Sequence, residues 1–103
     1  MSTQNETGIK VIVELQAVPG KRAELKKLIE SIVGEHGSDT PGFLGSTRYE
    51  VLDNPNILVE IADWESAEAR MTHMQEAMAS GVYAPLGELL AAPFRATVIR
   101  QLP

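Results

Sequence analysis

From Ile9 to Ala17, apolar side chains recur at every second position: Ile9, Val11, Val13, Leu15 and Ala17 stand against Lys10, Glu14 and Gln16, and the run ends at Pro19-Gly20. A period of two predicts a strand with one apolar face. The period then changes. Leu25, Leu28, Ile29, Ile32, Val33 and His36 fall on one stripe of a helix, for which Gly37 is the expected stop. Thr40-Pro41-Gly42 breaks the chain before a second strand, Phe43 to Leu52. Asp53-Asn54-Pro55-Asn56 is turn chemistry that joins it, as an antiparallel hairpin, to a third strand, Ile57 to Trp64. Ser66 is a good N-cap for a second helix ending near Ser80-Gly81, in which Ala67, Met71, Met74 and Met78 share a stripe. A short helix from Tyr83 to Leu90, with Pro85 in its first turn, precedes a last strand, Phe94 to Leu102.

The order strand, helix, strand, strand, helix, strand is the α+β pattern of a ferredoxin-like split βαβ fold, here with a short extra helix before the last strand. Such a sheet carries its helices on one face and leaves the other bare. On the bare side fall Ile12 and Val18 of the first strand and Ile57, Val59 and Ile61 of the third, so a homodimer joined through the open sheet faces is expected. The 103 residues suit one domain, residues 9–103, behind a polar tail of residues 1–8 that is expected to be disordered.

Charge and composition then narrow the partners. A net charge of -5 argues against nucleic acid; Lys21, Arg22, Lys26 and Lys27 cluster, but Glu24 and Glu30 interleave with them as on a solvated helix face. The absence of cysteine removes disulfides, thiolate nucleophiles and iron-sulfur ligation. The N-terminal residues lack the basic-then-apolar order of a signal peptide, and no apolar run approaches the roughly 20 residues of a membrane span. No membrane partner is expected, and the cytosol is the default compartment.

Familiar catalytic motifs are missing: there is no GxxxxGK or GxGxxG loop, no HExxH and no GxSxG. No metal site is expected, since His36 and His73 are the only histidines and belong to separate helices. His36, on an apolar stripe at a helix end, reads as a residue of the core margin. His73 lies about 140° round its helix from the methionine stripe, on the flank shared by Arg70 and Ala77. It points either to solvent or toward the Tyr83–Leu90 segment. The methionines read as core or as adaptable walls around a flat ligand. Glu60 stands four residues before Trp64, the only tryptophan, so both share one face of the third strand. If that face also carries Leu58 and Ala62 toward the helices, Glu60 is withdrawn from water and suited to proton abstraction near neutral pH. The alternative is a salt bridge to Arg48 or exposure at an edge.

Trp64-Glu65-Ser66 with a histidine nine residues after the tryptophan, preceded by Pro41-Gly42-Phe43-Leu44 and Val18-Pro19-Gly20-Lys21, resembles the antibiotic biosynthesis monooxygenase family of dimeric α/β-barrel proteins. The resemblance spans about Ile9 to Leu102 and implies the fold derived above. It also implies several candidate activities: cofactor-free oxidation of anthrones and quinols, haem degradation, and isomerisation of small sugars. Trp64 matches the pocket tryptophan of the polyketide and haem branches, and His73 matches the family's helix histidine. The haem branch's asparagine and ligating histidine fall at Val13 and near Gly87, which disfavours haem. The asparagine that the anthrone branch carries four residues before the tryptophan is Glu60 here.

The expected activity is a cofactor-independent monooxygenase acting on an electron-rich aromatic, a quinol or an anthrone, with molecular oxygen as co-substrate. Glu60 and His73 are the candidate catalytic residues, and Trp64, Leu58, Met71, Met74 and Tyr83 the candidate ring-binding ones. Two rivals stand beside it: an isomerase or tautomerase of a small carbonyl compound using Glu60 and His73 as its acid pair, and a non-catalytic ligand-binding domain. The last would be favoured if Leu58, Glu60 and Trp64 bordered no cavity.

Overall fold

The computed structural model describes residues 8–103, so all of the expected tail but Gly8 lies outside the described residues. Its elements are β1 (Ile9–Gln16), α1 (Arg22–His36), β2 (Phe43–Val51), β3 (Asn54–Trp64), α2 (Ala67–Ser80) and β4 (Arg95–Ile99), with 3₁₀ turns at Gly37–Asp39 and Ala84–Glu88. The strands form one sheet in the order β2-β3-β1-β4, every neighbouring pair antiparallel. This is the βαββαβ arrangement of a ferredoxin-like α+β fold. The sheet of the single chain is open. No helix among the described residues is long and apolar enough to cross a membrane.

Parity sets the layers. Ile9, Val11 and Leu15 of β1 are buried, and Leu58, Ala62 and Trp64 of β3 lie opposite them in register. The core beneath the helices falls into two clusters. One gathers Leu15, Leu25, Ile29, Leu58 and Leu86; the other gathers Ile9, Val11, Ala62 and Trp64. Val13 touches both, and its register partner across the β1–β3 ladder is Glu60. A carboxylate thus stands at the seam of the core, where a close-packed contact would otherwise join the two halves.

Three elements differ from expectation. The hairpin turn is Leu52-Asp53, and Asn54-Pro55-Asn56 belongs to β3. The Asn54 side chain accepts a hydrogen bond from the Asn56 backbone N–H at 3.0 Å, and the register shifts between Glu50 and Val51, so the turn-forming residues bend a strand instead of closing a loop. β4 is shorter than Phe94–Leu102, and all five of its residues are exposed. The third difference is the face that α2 presents. Met71 and Met78 are 61% and 78% exposed, and Ala77 is the buried residue of the helix. Ala67 and Ala69 pack against the Trp64 cluster at the first turn of the helix, and of the thioethers of the expected stripe Met71 and Met78 are turned outward while Met74 faces inward.

Candidate functional site

α2 is positioned by its ends. Ser66 accepts a hydrogen bond from the Ala69 N–H at 3.1 Å, and Gly81 closes the helix in the left-handed conformation, at φ 74°. The loop before β2 docks against the first turn: the Gly42 carbonyl accepts from the Glu65 N–H at 2.8 Å, and a Cβ at Gly42 would stand 2.5 Å from that of Ala69. Only glycine allows this approach. The loop and helix together fix an aromatic wall. Phe43 and Trp64, partners across the β2–β3 ladder, meet edge to face with ring centroids 5.2 Å apart, and the His73 ring, tilted by 36°, also lies 5.2 Å from Trp64.

Behind this wall, between the sheet and the helices, is a cavity of about 420 Å³. Val13, Glu60 and Ala62 line it from the sheet, Arg70, His73, Met74 and Ala77 from α2, and Tyr83 from the segment that follows. His73 takes the second of its two expected directions: its Nε2 is 2.7 Å from the Tyr83 hydroxyl, since the chain folds back over α2 after Gly81. Burial holds His73 below the usual histidine value of 6.5, so the ring is neutral at pH 7. Burial, reinforced by the negative charge of Glu60, raises the Tyr83 phenol.

Glu60 combines the two environments weighed for it. Its side chain is 17% exposed, and Arg48 Nη1 stands 3.5 Å from its Oε2, near enough to attract but outside hydrogen-bond geometry. That oxygen is buried and has no hydrogen-bond partner among the described residues. Arg48 is also shared: its Nε lies 3.4 Å from Glu30, and its Nη1 donates to the Ser46 hydroxyl at 3.0 Å. Burial therefore prevails over the guanidinium, and the Glu60 carboxyl lies above the usual value of 4.5. Glu60 lines the aromatic-walled cavity, with its Oε2 turned to Arg48, and its carboxyl is a proton acceptor there.

The structure thus places Glu60, His73, Trp64, Met74 and Tyr83 around one space. Leu58 is packed in the core outside it, and Met71 points to solvent. Since Glu60 and Trp64 do border a cavity, the condition that favoured a non-catalytic domain is not met. Sequence reading did not assign Phe43 or Arg70 to the site. Phe43 was accessible through the hairpin register, which pairs it with Trp64, and Arg70 through its position one helical turn before His73. Among the described residues no three acidic or histidine side chains converge as metal ligands.

Comparison with known proteins gives a consistent picture. No curated protein matches at a significant level. Among solved structures, a conserved protein from Methanosarcina mazei Go1 is 23% identical with a TM-score of 0.81, the match covering 96% of this chain and 97% of that one. The Rv0793 protein of Mycobacterium tuberculosis is 25% identical with a TM-score of 0.77, covering 94% and 97%. A variant of SnoaB, described as a cofactor-independent oxygenase from Streptomyces nogalater, is 16% identical with a TM-score of 0.77, covering 92% and 93%. The family model for antibiotic biosynthesis monooxygenase matches residues 8–81, and the chain belongs to that family.

Proposed function

We propose that this protein is a cofactor-independent monooxygenase of an electron-rich aromatic, a quinol or an anthrone, and that it works as a homodimer in the cytosol. The observation that carries the reading is Glu60: a largely buried carboxylate with a raised pKa that lines a cavity whose end wall is Trp64 and Phe43. The likeness to SnoaB supports the reaction class through the fold. With the ring stacked along the aromatic wall, Glu60 accepts a proton from the substrate's acidic hydroxyl or methylene, leaving an electron-rich anion. That anion transfers an electron to oxygen, the two radicals combine as a carbon-bound peroxide, and cleavage of the O–O bond leaves a carbonyl. For an anthrone the sum is CH₂ + O₂ → C=O + H₂O, with both electron pairs supplied by the substrate.

The test is oxygen uptake with a menadiol-like quinol and with an anthrone, by metal-free protein, above the rate without protein. Glu60→Gln is expected to lower the catalysed rate by about 10²-fold or more, the usual worth of a positioned general base. Equal rates in both proteins, or none in either, would overturn the reading. Glu60 and His73 face the same cavity, which is also what the isomerase reading requires. Solvent deuterium incorporated into a carbonyl substrate without oxygen uptake would decide for that alternative.

A further inference from the structure

A second cavity, of about 80 Å³, adjoins the first and shares with it Ile32 and Val33 of α1 together with Val13, Glu60, Arg70, Met74 and Tyr83. These residues form a neck. Beyond the neck the walls that belong to the second cavity alone are Leu15, Ile29, Leu86 and Phe94, all hydrocarbon. Leu15, Ile29 and Leu86 are buried, and Phe94, 37% exposed, is the outermost wall. Glu60, Arg70 and Tyr83 supply polar partners at the neck alone; a water deeper in the lobe, against Leu15, Ile29, Leu86 and Phe94, meets none of the two to four side-chain partners that a stable buried water needs. The lobe therefore favours a hydrocarbon occupant. At about 30 Å³ for a water-sized group, 80 Å³ holds about three carbons.

Glu60 is at once the proposed proton acceptor and a residue of the neck. Because Glu60 lines both cavities, a ring in the main cavity whose reacting hydroxyl meets Glu60 can place a substituent on the adjacent ring carbon at the mouth of the lobe.

We propose that the small lobe is a subsite for a short alkyl substituent, of up to about three carbons, on the ring carbon next to the reacting hydroxyl. This rests on the aromatic reading of the main cavity. The preferred substrates are thus 2-alkyl phenols or quinols, and longer chains must displace Phe94.

Isothermal titration calorimetry with 1-naphthol and its 2-methyl, 2-ethyl, 2-propyl and 2-hexyl derivatives tests this, with 4-propyl-1-naphthol as the positional control. Each added carbon up to propyl is expected to tighten binding roughly fourfold, as burial of a methylene does, with no further gain at hexyl and a smaller gain from the 4-propyl isomer. Leu86→Phe fills the lobe from the 3₁₀ turn and is expected to keep 1-naphthol binding while abolishing the 2-propyl gain. Ile29→Phe fills it from α1 and provides the same test should the first variant not fold. A 2-propyl compound that binds no tighter than its 4-propyl isomer, or that keeps its gain in both variants, would overturn the subsite and leave the aromatic reading standing. No binding of any naphthol would overturn both.

Discussion

At Glu60 two effects oppose each other: burial disfavours the charged form, and the Arg48 guanidinium, divided between Glu30 and Glu60, offsets burial only in part. Activity that needs the carboxylate is therefore expected to fall with falling pH through a midpoint above the ordinary value of 4.5, and this limb should vanish in Glu60→Gln. Stability follows the same shift with a defined sign. Because the folded-state pKa exceeds that of the unfolded chain, the protonated acid favours the fold. That contribution is complete below about pH 4.5 and is lost as pH rises through the folded value. Denaturant unfolding should show Glu60→Gln gaining stability relative to wild type between pH 4 and pH 8; a constant difference would contradict it. His73 carries the opposite sign for a base. Its depressed pKa gives stability above pH 6.5 that is lost as pH falls toward the folded value. Its imidazole carbon resonances should accordingly titrate with a midpoint below 6.5 by NMR, and a midpoint at or above that value would refute the buried placement.

Among the elements, α2 shows both what the sequence revealed and what it concealed. Strand parity alone put Glu60 and Trp64 on one face, because a period of two leaves no third choice, and the burial of Leu58, Ala62 and Trp64 identifies that face as the helix-covered one. Helix periodicity was less decisive, because α2 has more than one stripe that can be read as apolar. The methionines suggest one face, whereas Ala69 packs against the Trp64 cluster and Ala77 is the buried residue of the helix. The signal lay outside the helix, in Gly42. Its φ of +83° and the 2.5 Å clearance at Ala69 leave no room for a side chain, so Gly42→Ala is expected to cost about 1–3 kcal/mol in chemical denaturation and to loosen the Trp64–His73 contact. An unchanged unfolding midpoint would show that the loop does not position α2. The hairpin was misplaced for a related reason: Asn-Pro-Asn is turn chemistry in isolation, but the hydrogen bond from the Ala17 N–H to the Asn56 carbonyl holds that segment in β3.

On the scale of the molecule, the strand and helix order fixed the fold because one antiparallel arrangement satisfies it, whereas the substrate left no trace in the chain beyond the residues of the cavity. The bare sheet face carries the remaining expectation. Ile12 and Ile61 are paired across β1 and β3, and with Ile57 and Val59 they stay only partly buried in the single chain. If a second copy covers them, the two open sheets close on each other, and Ile61→Lys should shift the sedimentation mass from twice 11.2 kDa toward a single chain. A wild-type protein that sediments as a monomer at micromolar concentration would dispose of the dimer. The proposed activity requires Glu60 to direct an oxygen atom into an aromatic ring system. Turnover of an anthrone under ¹⁸O₂, followed by mass spectrometry, tests this most directly. One ¹⁸O atom per product molecule is expected, formed by the wild type and suppressed with Glu60→Gln, whereas product without label, or equal labelled product from both proteins, would contradict it.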